Sequence, residues 1–171
     1  MKSLSSSLIA IALLATILPA QAQQRNYREG AAPAPKALGD PLQRLYRVSG
    51  VRDNGAAPER GVATTFHCTS ASTVDETIRI RVRDFNGNQA GTRATTIEPM
   101  HTVTMSTHLT RLFVEDSTLS PGTNINQGSA DILGTSVNIF CSAMIVDAVS
   151  NFPLSTALHM VRYHPIPGTQ E

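Results

Sequence analysis

The chain has 171 residues, with 14 Lys and Arg against 13 Asp and Glu, a formal net charge of +1. That length suits one domain, or two at most. The near balance of charge excludes a protein drawn onto nucleic acid or an anionic membrane by its overall field. Trp is absent and aromatics make up 5% of the chain, so the core must rest on Val, Ile, Leu, Ala and Thr with a few Phe and Met.

The first segment, "MKSLSSSLIAIALLATILPAQAQ", has one basic residue, Lys2, an apolar run from Leu8 to Leu18 and the small-residue pattern Ala20-Gln21-Ala22. This is the layout of a secretory signal peptide over residues 1–22, cut between Ala22 and Gln23. The run is about half of the roughly 20 residues a spanning helix needs, so no membrane span is expected after cleavage. Cleavage removes Lys2 and leaves 13 basic residues against 13 acidic ones. The protein is expected to be secreted or periplasmic. Residues 23–40 carry Ala-Pro repeats without apolar periodicity and read as a flexible leader. The domain is expected over 41–164, followed by an extended tail at 165–171.

Within the domain the dominant period is two, which marks strands rather than helices. In chain order the candidates are "LYRVSGVRD", "GVATTFHCT", "ETIRIRVRDF", "GTRATTIEP", "MHTVTMSTH", "RLFVED", "GSADIL", "SVNIFCSAMIV" and "TALHMVRYH". Turn signals separate them, among them Asn54-Gly55, Asn86-Gly87 and Pro121-Gly122. Short strands at regular spacing predict an all-β fold, an antiparallel β-sandwich; a barrel would give the same pattern. Asn86-Gly87 is expected to supply the positive φ angles of a hairpin turn. "EDSTLSPGTNINQGS" has the least pattern and reads as the longest loop, where binding sites tend to sit.

Cys68 and Cys141 are the only cysteines. In an oxidising compartment two cysteines usually pair. Cys68 shares strand parity with Val62 and Phe66, and Cys141 with Val137, Ile139, Ala143 and Ile145. Both thiols therefore point into the core, which suits one inter-sheet disulfide. His67 has the opposite parity, because adjacent strand residues face opposite ways. It is not placed to activate the neighbouring thiol.

Five histidines, His67, His101, His108, His159 and His164, form no His-x-His or HExxH pattern, and no metal site is expected. "DFNGNQ" alternates oxygen ligands at Asp84, Asn86 and Asn88, but its glycine is at position four and position twelve is Thr95, where a calcium loop needs Glu. A hairpin explains it better. Arg79, Arg81 and Arg83 alternate on one strand face, with Arg93 placed to join across the hairpin. They are either a candidate anion-binding face for sulfated or phosphorylated polymers, since guanidinium makes bidentate contacts to such groups, or a solvated face paired with Asp and Glu on neighbouring strands. No GxSxG, phosphate-loop or dinucleotide motif occurs, so no catalytic residue and no cofactor is expected. Glu115-Asp116 are adjacent and would diverge on a strand, unlike a glycosidase carboxylate pair. Without Trp, a sugar-stacking site would fall to Tyr46 or Tyr163.

With "FHCTS" closing one strand, the charged hairpin "IRIRVRDFNGN" following it and "NIFCSA" holding the second cysteine, the chain resembles the small secreted bacterial β-sandwich proteins of unknown function. The resemblance covers Arg44 to Pro167 and implies a compact envelope or secreted domain; it carries no catalytic residue. The layout is also similar to immunoglobulin-like domains, although no Trp packs on the bridge and Ile139 stands where a corner Tyr would precede the second Cys. The expected function is a non-enzymatic binding or structural module, with a protein or surface polymer as partner. The alternatives are a small extracytoplasmic hydrolase and a polyanion-binding module using the arginine row. No signal for oligomeric state is present.

Overall fold

A computed structural model describes residues 42–54, 58–151 and 154–163. All of them fall in one compact unit. The expected signal peptide with its Ala22–Gln23 cleavage point, the leader, the tail and His164 lie outside these residues. The strands are β1 (Gln43–Asp53), β2 (Val62–Ser70), β3 (Glu76–Arg83), β4 (Gln89–Ile97), β5 (Thr102–Ser106), β6 (Ser117–Thr118), β7 (Ile125–Gly134), β8 (Ile139–Asp147), β9 (Ser155–Ala157) and β10 (Met160–Arg162). They form two five-stranded sheets, one ordered β10-β1-β7-β3-β4 and the other β6-β5-β2-β8-β9. We call these the β1 sheet and the β2 sheet. Every pairing is antiparallel except β5 with β6. The expected β-sandwich is the fold.

The alternating pattern explains the main core. Ile78, Ile80 and Val82 of β3, Val48 and Val51 of β1, Phe66 of β2, Met105 of β5 and Ile132 of β7 are all fully buried between the sheets. Burying one such side chain stabilises the fold by about 1.5–3 kcal/mol. The two sheets are also tied by polar groups. The Tyr46 hydroxyl donates to the Ile139 carbonyl at 3.3 Å. The Arg162 guanidinium stacks over Tyr46 and Phe140 and donates to the Val137 carbonyl.

Four expectations change. The disulfide joins Cys68 to Cys141 as expected, but these residues oppose each other directly on β2 and β8, neighbours in one sheet. Their Cα atoms are 4.1 Å apart. Parity sends both thiols toward the core, and that condition is met equally by facing sheets and by adjacent strands.

Second, "RLFVED" is not a strand. Residues 111–116 instead pass over the outer face of the β2 sheet. There Leu112 and Phe113 pack with Met144 on buried Ala63, Val146 and Ala148. Glu115 and Thr110 hold this segment: the Thr110 amide and hydroxyl donate to Glu115 Oε1 at 3.0 and 2.7 Å, and the Phe113 amide donates to Thr110 Oγ1. Such local side-chain bonds compete with a strand ladder. Third, "TALHMVRYH" divides at Leu158-His159 into β9 and β10, one in each sheet.

Fourth, the β3–β4 turn has one positive φ, at Gly87 (84°), and not at Asn86. The Gly87 amide donates to the Asp84 carbonyl, and the left-handed glycine then returns the chain to β4.

Candidate functional site

The outer face of the β1 sheet collects arginines. The register places Arg47 of β1 opposite Asp131 of β7, Asp131 opposite Arg81 of β3, and Arg81 opposite Thr92 of β4. One row away, Arg44, Leu133, Arg79 and Ala94 align in the same order, and beyond the centre Ser129 lies opposite Arg83, which faces Gln89. Arg79, Arg81 and Arg83 do share this face, as their alternation predicts.

Arg44 and Arg47 are a further contribution, and simple parity hides it. Three residues apart on a regular strand, they would face opposite ways. Between Arg44 and Tyr46 the register shifts by one residue. Leu45 is the extra residue of a bulge, and its side chain drops into the core. A bulge re-phases the strand beyond it, so both guanidiniums reach Asp131.

Asp131 is the one carboxylate of this cluster and is 2% exposed. Its oxygens lie 3.1 Å from Arg44 Nε, 3.3 Å from Arg47 Nε and 3.7 Å from Arg83 Nε. Neither oxygen receives an aligned hydrogen bond, so the contacts are close charge pairs rather than forked bonds. The Arg83 guanidinium also donates to the Gly87 carbonyl. Arg44 stacks on the Tyr163 ring.

The remaining arginines are left over. Arg79, Arg81 and Arg93 line a groove of about 450 Å³ with Gln89, Thr92 and Ala94. Among the described residues, none of the three has a carboxylate within ion-pair distance. The Arg81 Nε is buried and has no hydrogen-bond acceptor. Arg93 sits on β4, an edge of the sheet. The two readings of the arginine row thus divide by residue: Arg83 is a structural partner of Asp131, while Arg79 and Arg81 are uncompensated.

The other candidate groups have structural surroundings. His67 faces away from Cys68, as parity predicts. Its ring packs edge-on against Phe113 at 4.5 Å, and Nδ1 lies 3.1 Å from Thr104 Oγ1. Burial lowers its pKa, and the nearby Glu115 charge only partly offsets this.

His108 is buried between two acceptors, Asp53 Oδ2 on Nδ1 and the Arg60 carbonyl on Nε2, each at 2.8 Å. Both bonds form only when both nitrogens carry protons. Burial alone would depress its pKa. The hydrogen bond and charge of Asp53, the Arg60 carbonyl and the Glu115 charge outweigh that and raise it.

His101 pairs with Glu98 on the surface. Among the described residues no group of three or more His, Cys, Asp or Glu is placed to hold a metal. The Asp84 carboxylate accepts from the Asn88 amide at 2.8 Å and from its side-chain nitrogen at 3.2 Å, which makes "DFNGNQ" a capped hairpin. Tyr46 is 6% exposed and Tyr163 lies beneath Arg44, so neither offers the free ring expected of it.

No family model matches the chain, and no curated protein does. The structure is similar to the crystal structure of Thermotoga maritima 1070, with a TM-score of 0.43 and 14% sequence identity over 68% of this chain and 92% of that one. The disulfide is of the kind that oxidising, extracytoplasmic compartments sustain. Among the described residues no helix is long and apolar enough to cross a membrane.

Proposed function

We propose that this protein is a non-enzymatic binding module of the periplasm or the extracellular space, and that it recognises an anionic polymer through the outer face of its β1 sheet. The observation that carries this reading is the groove lined by Arg79 and Arg81 of β3 and by Arg93 at the β4 edge, with no carboxylate in its lining. Alternate residues of a strand are about 7 Å apart, so Arg79 and Arg81 present charge at a repeat that suits successive anionic groups on a chain. Guanidinium is less strongly hydrated than ammonium and forks onto sulfate or carboxylate oxygens. The positive charge is local to one face of a neutral mature chain, which favours a surface contact over bulk adsorption. The buried titratable groups support the non-enzymatic reading. His108 is locked to Asp53 and Arg60, and Glu76 accepts from the Thr135 hydroxyl inside the sandwich.

The test is retention on immobilised heparin, a sulfated and carboxylated polysaccharide. The wild-type protein should be held at low ionic strength and released as salt shortens the Debye length. Arg79→Ala/Arg81→Ala should pass through. Wild-type protein in the flow-through, or retention that survives the double substitution, overturns the proposal.

A further inference from the structure

The β3–β4 hairpin brings together the two stretches that the sequence marks as turn and loop. Residues of the turn, Phe85 and Asn86, and residues from Thr123 to Gln127 line one pocket of about 510 Å³. It differs from the arginine groove in chemistry. Its free side chains are Phe85, Asn86, Thr123, Asn124, Asn126 and Gln127, and no arginine or lysine lines it.

Both walls are held from behind. On the hairpin, the Asp84 amide donates to the Asn88 carbonyl, the Gly87 amide to the Asp84 carbonyl, and Asn88 is bonded twice to the Asp84 carboxylate. On the other wall, Ile125 is 1% exposed and anchors β7 in the core between its exposed neighbours Asn124 and Asn126. Gly128 lets β7 pass against β3: a Cβ there would collide with the Arg83 carbonyl oxygen and the Ile125 side chain. Rigid walls lose little freedom when a ligand binds.

A single exposed phenylalanine would mean nothing by itself. Phe85 is 75% exposed, but it stands among three asparagines, a glutamine and a threonine. Among the described residues none of these five polar side chains has a hydrogen-bond partner. We propose that this pocket binds a neutral pyranose ring of a glycan. The electron-rich ring face of Phe85 attracts the polarised C–H groups on the apolar face of a sugar. Each amide presents a donor and an acceptor side by side, which matches neighbouring hydroxyls that both donate and accept. The Asp84 carboxylate on the same wall disfavours an acidic sugar. The site is therefore distinct from the guanidinium groove in both place and ligand.

The test is saturation-transfer difference NMR on the secreted protein with maltohexaose, cellohexaose, mannohexaose and chitohexaose at millimolar concentration. At least one should receive saturation, concentrated on the C–H protons of one ring face. Phe85→Ala should weaken that binding at least about tenfold, as loss of a central aromatic contact does, while Phe85→Tyr retains it. Asn126→Ala/Gln127→Ala should weaken it without altering the fold, checked by the amide spectrum. Arg79→Ala/Arg81→Ala should leave it unchanged. No transfer from any of the four sugars overturns the proposal, as does transfer that survives Phe85→Ala or disappears with the arginines.

Discussion

Reducing the Cys68–Cys141 bond should cost the fold about 4 kcal/mol. The bond closes a loop of 73 residues. In the chain-entropy model a loop of that length removes about 15 cal/mol/K from the unfolded chain, or roughly 4 kcal/mol at 25 °C. The native state should change little, because Cys68 and Cys141 are already opposed in a ladder of nine β2–β8 pairs. For a domain of roughly 120 residues the unfolding entropy near 60 °C is about 0.25 kcal/mol/K, so Tm should fall by about 15 °C. The measurement is urea unfolding followed by circular dichroism, with and without a phosphine reductant. Reduction is preferable to substitution because both sulfurs stay in the core and no cavity confuses the result. Oxidised and reduced curves agreeing within about 1 kcal/mol would refute the reasoning. Loss of the β2–β8 ladder in the reduced native state, seen as amide exchange along β2 and β8, would also refute it, because the nine pairs are expected to hold without the bond.

His108 makes stability depend on pH. Its folded pKa is raised above the ordinary 6.5. Its contribution is then fully present below about pH 6.5 and is lost as pH rises through the folded value. Wild-type stability should decline through that window, and His108→Gln should flatten the decline; identical pH profiles would remove the imidazolium–Asp53 pair as its source. Asp131→Asn should lower stability by about 1–2 kcal/mol, since the carboxylate is buried while water screens its partly exposed arginines. The same substitution should raise the salt needed to elute the protein from heparin, because it frees three guanidiniums. Unchanged or weaker retention would show that the β1-sheet face is not the contact.

The period of two in "ETIRIRVR", the opposed parity of His67 and Cys68 and the pairing of the two cysteines were all legible in the sequence. Each depends on the pleat or on composition, which are local. Arg79, Arg81 and Arg83 follow from the same alternation, and so does the covering of the core by Ile78, Ile80 and Val82. Residues 111–116 misled for a related reason. Their alternation is real, but Thr110 and Glu115 supply hydrogen bonds that replace a strand partner.

What a strand pairs with is a non-local matter, settled by which apolar faces bury each other and by the cost of closing the loops between them. Hence the sequence alone determined that both cysteines face inward, and only the tertiary structure decided that they sit on neighbouring strands. It alone determined a row of arginines. The tertiary structure set Asp131 in their midst, brought Arg44 and Arg47 to the same face through one extra residue at Leu45, and left Arg79 and Arg81 without a counter-charge. Phe85 and Gln127 are 42 positions apart. They share a pocket because β7 pairs with β3 in the sheet, a contact that no local pattern encodes.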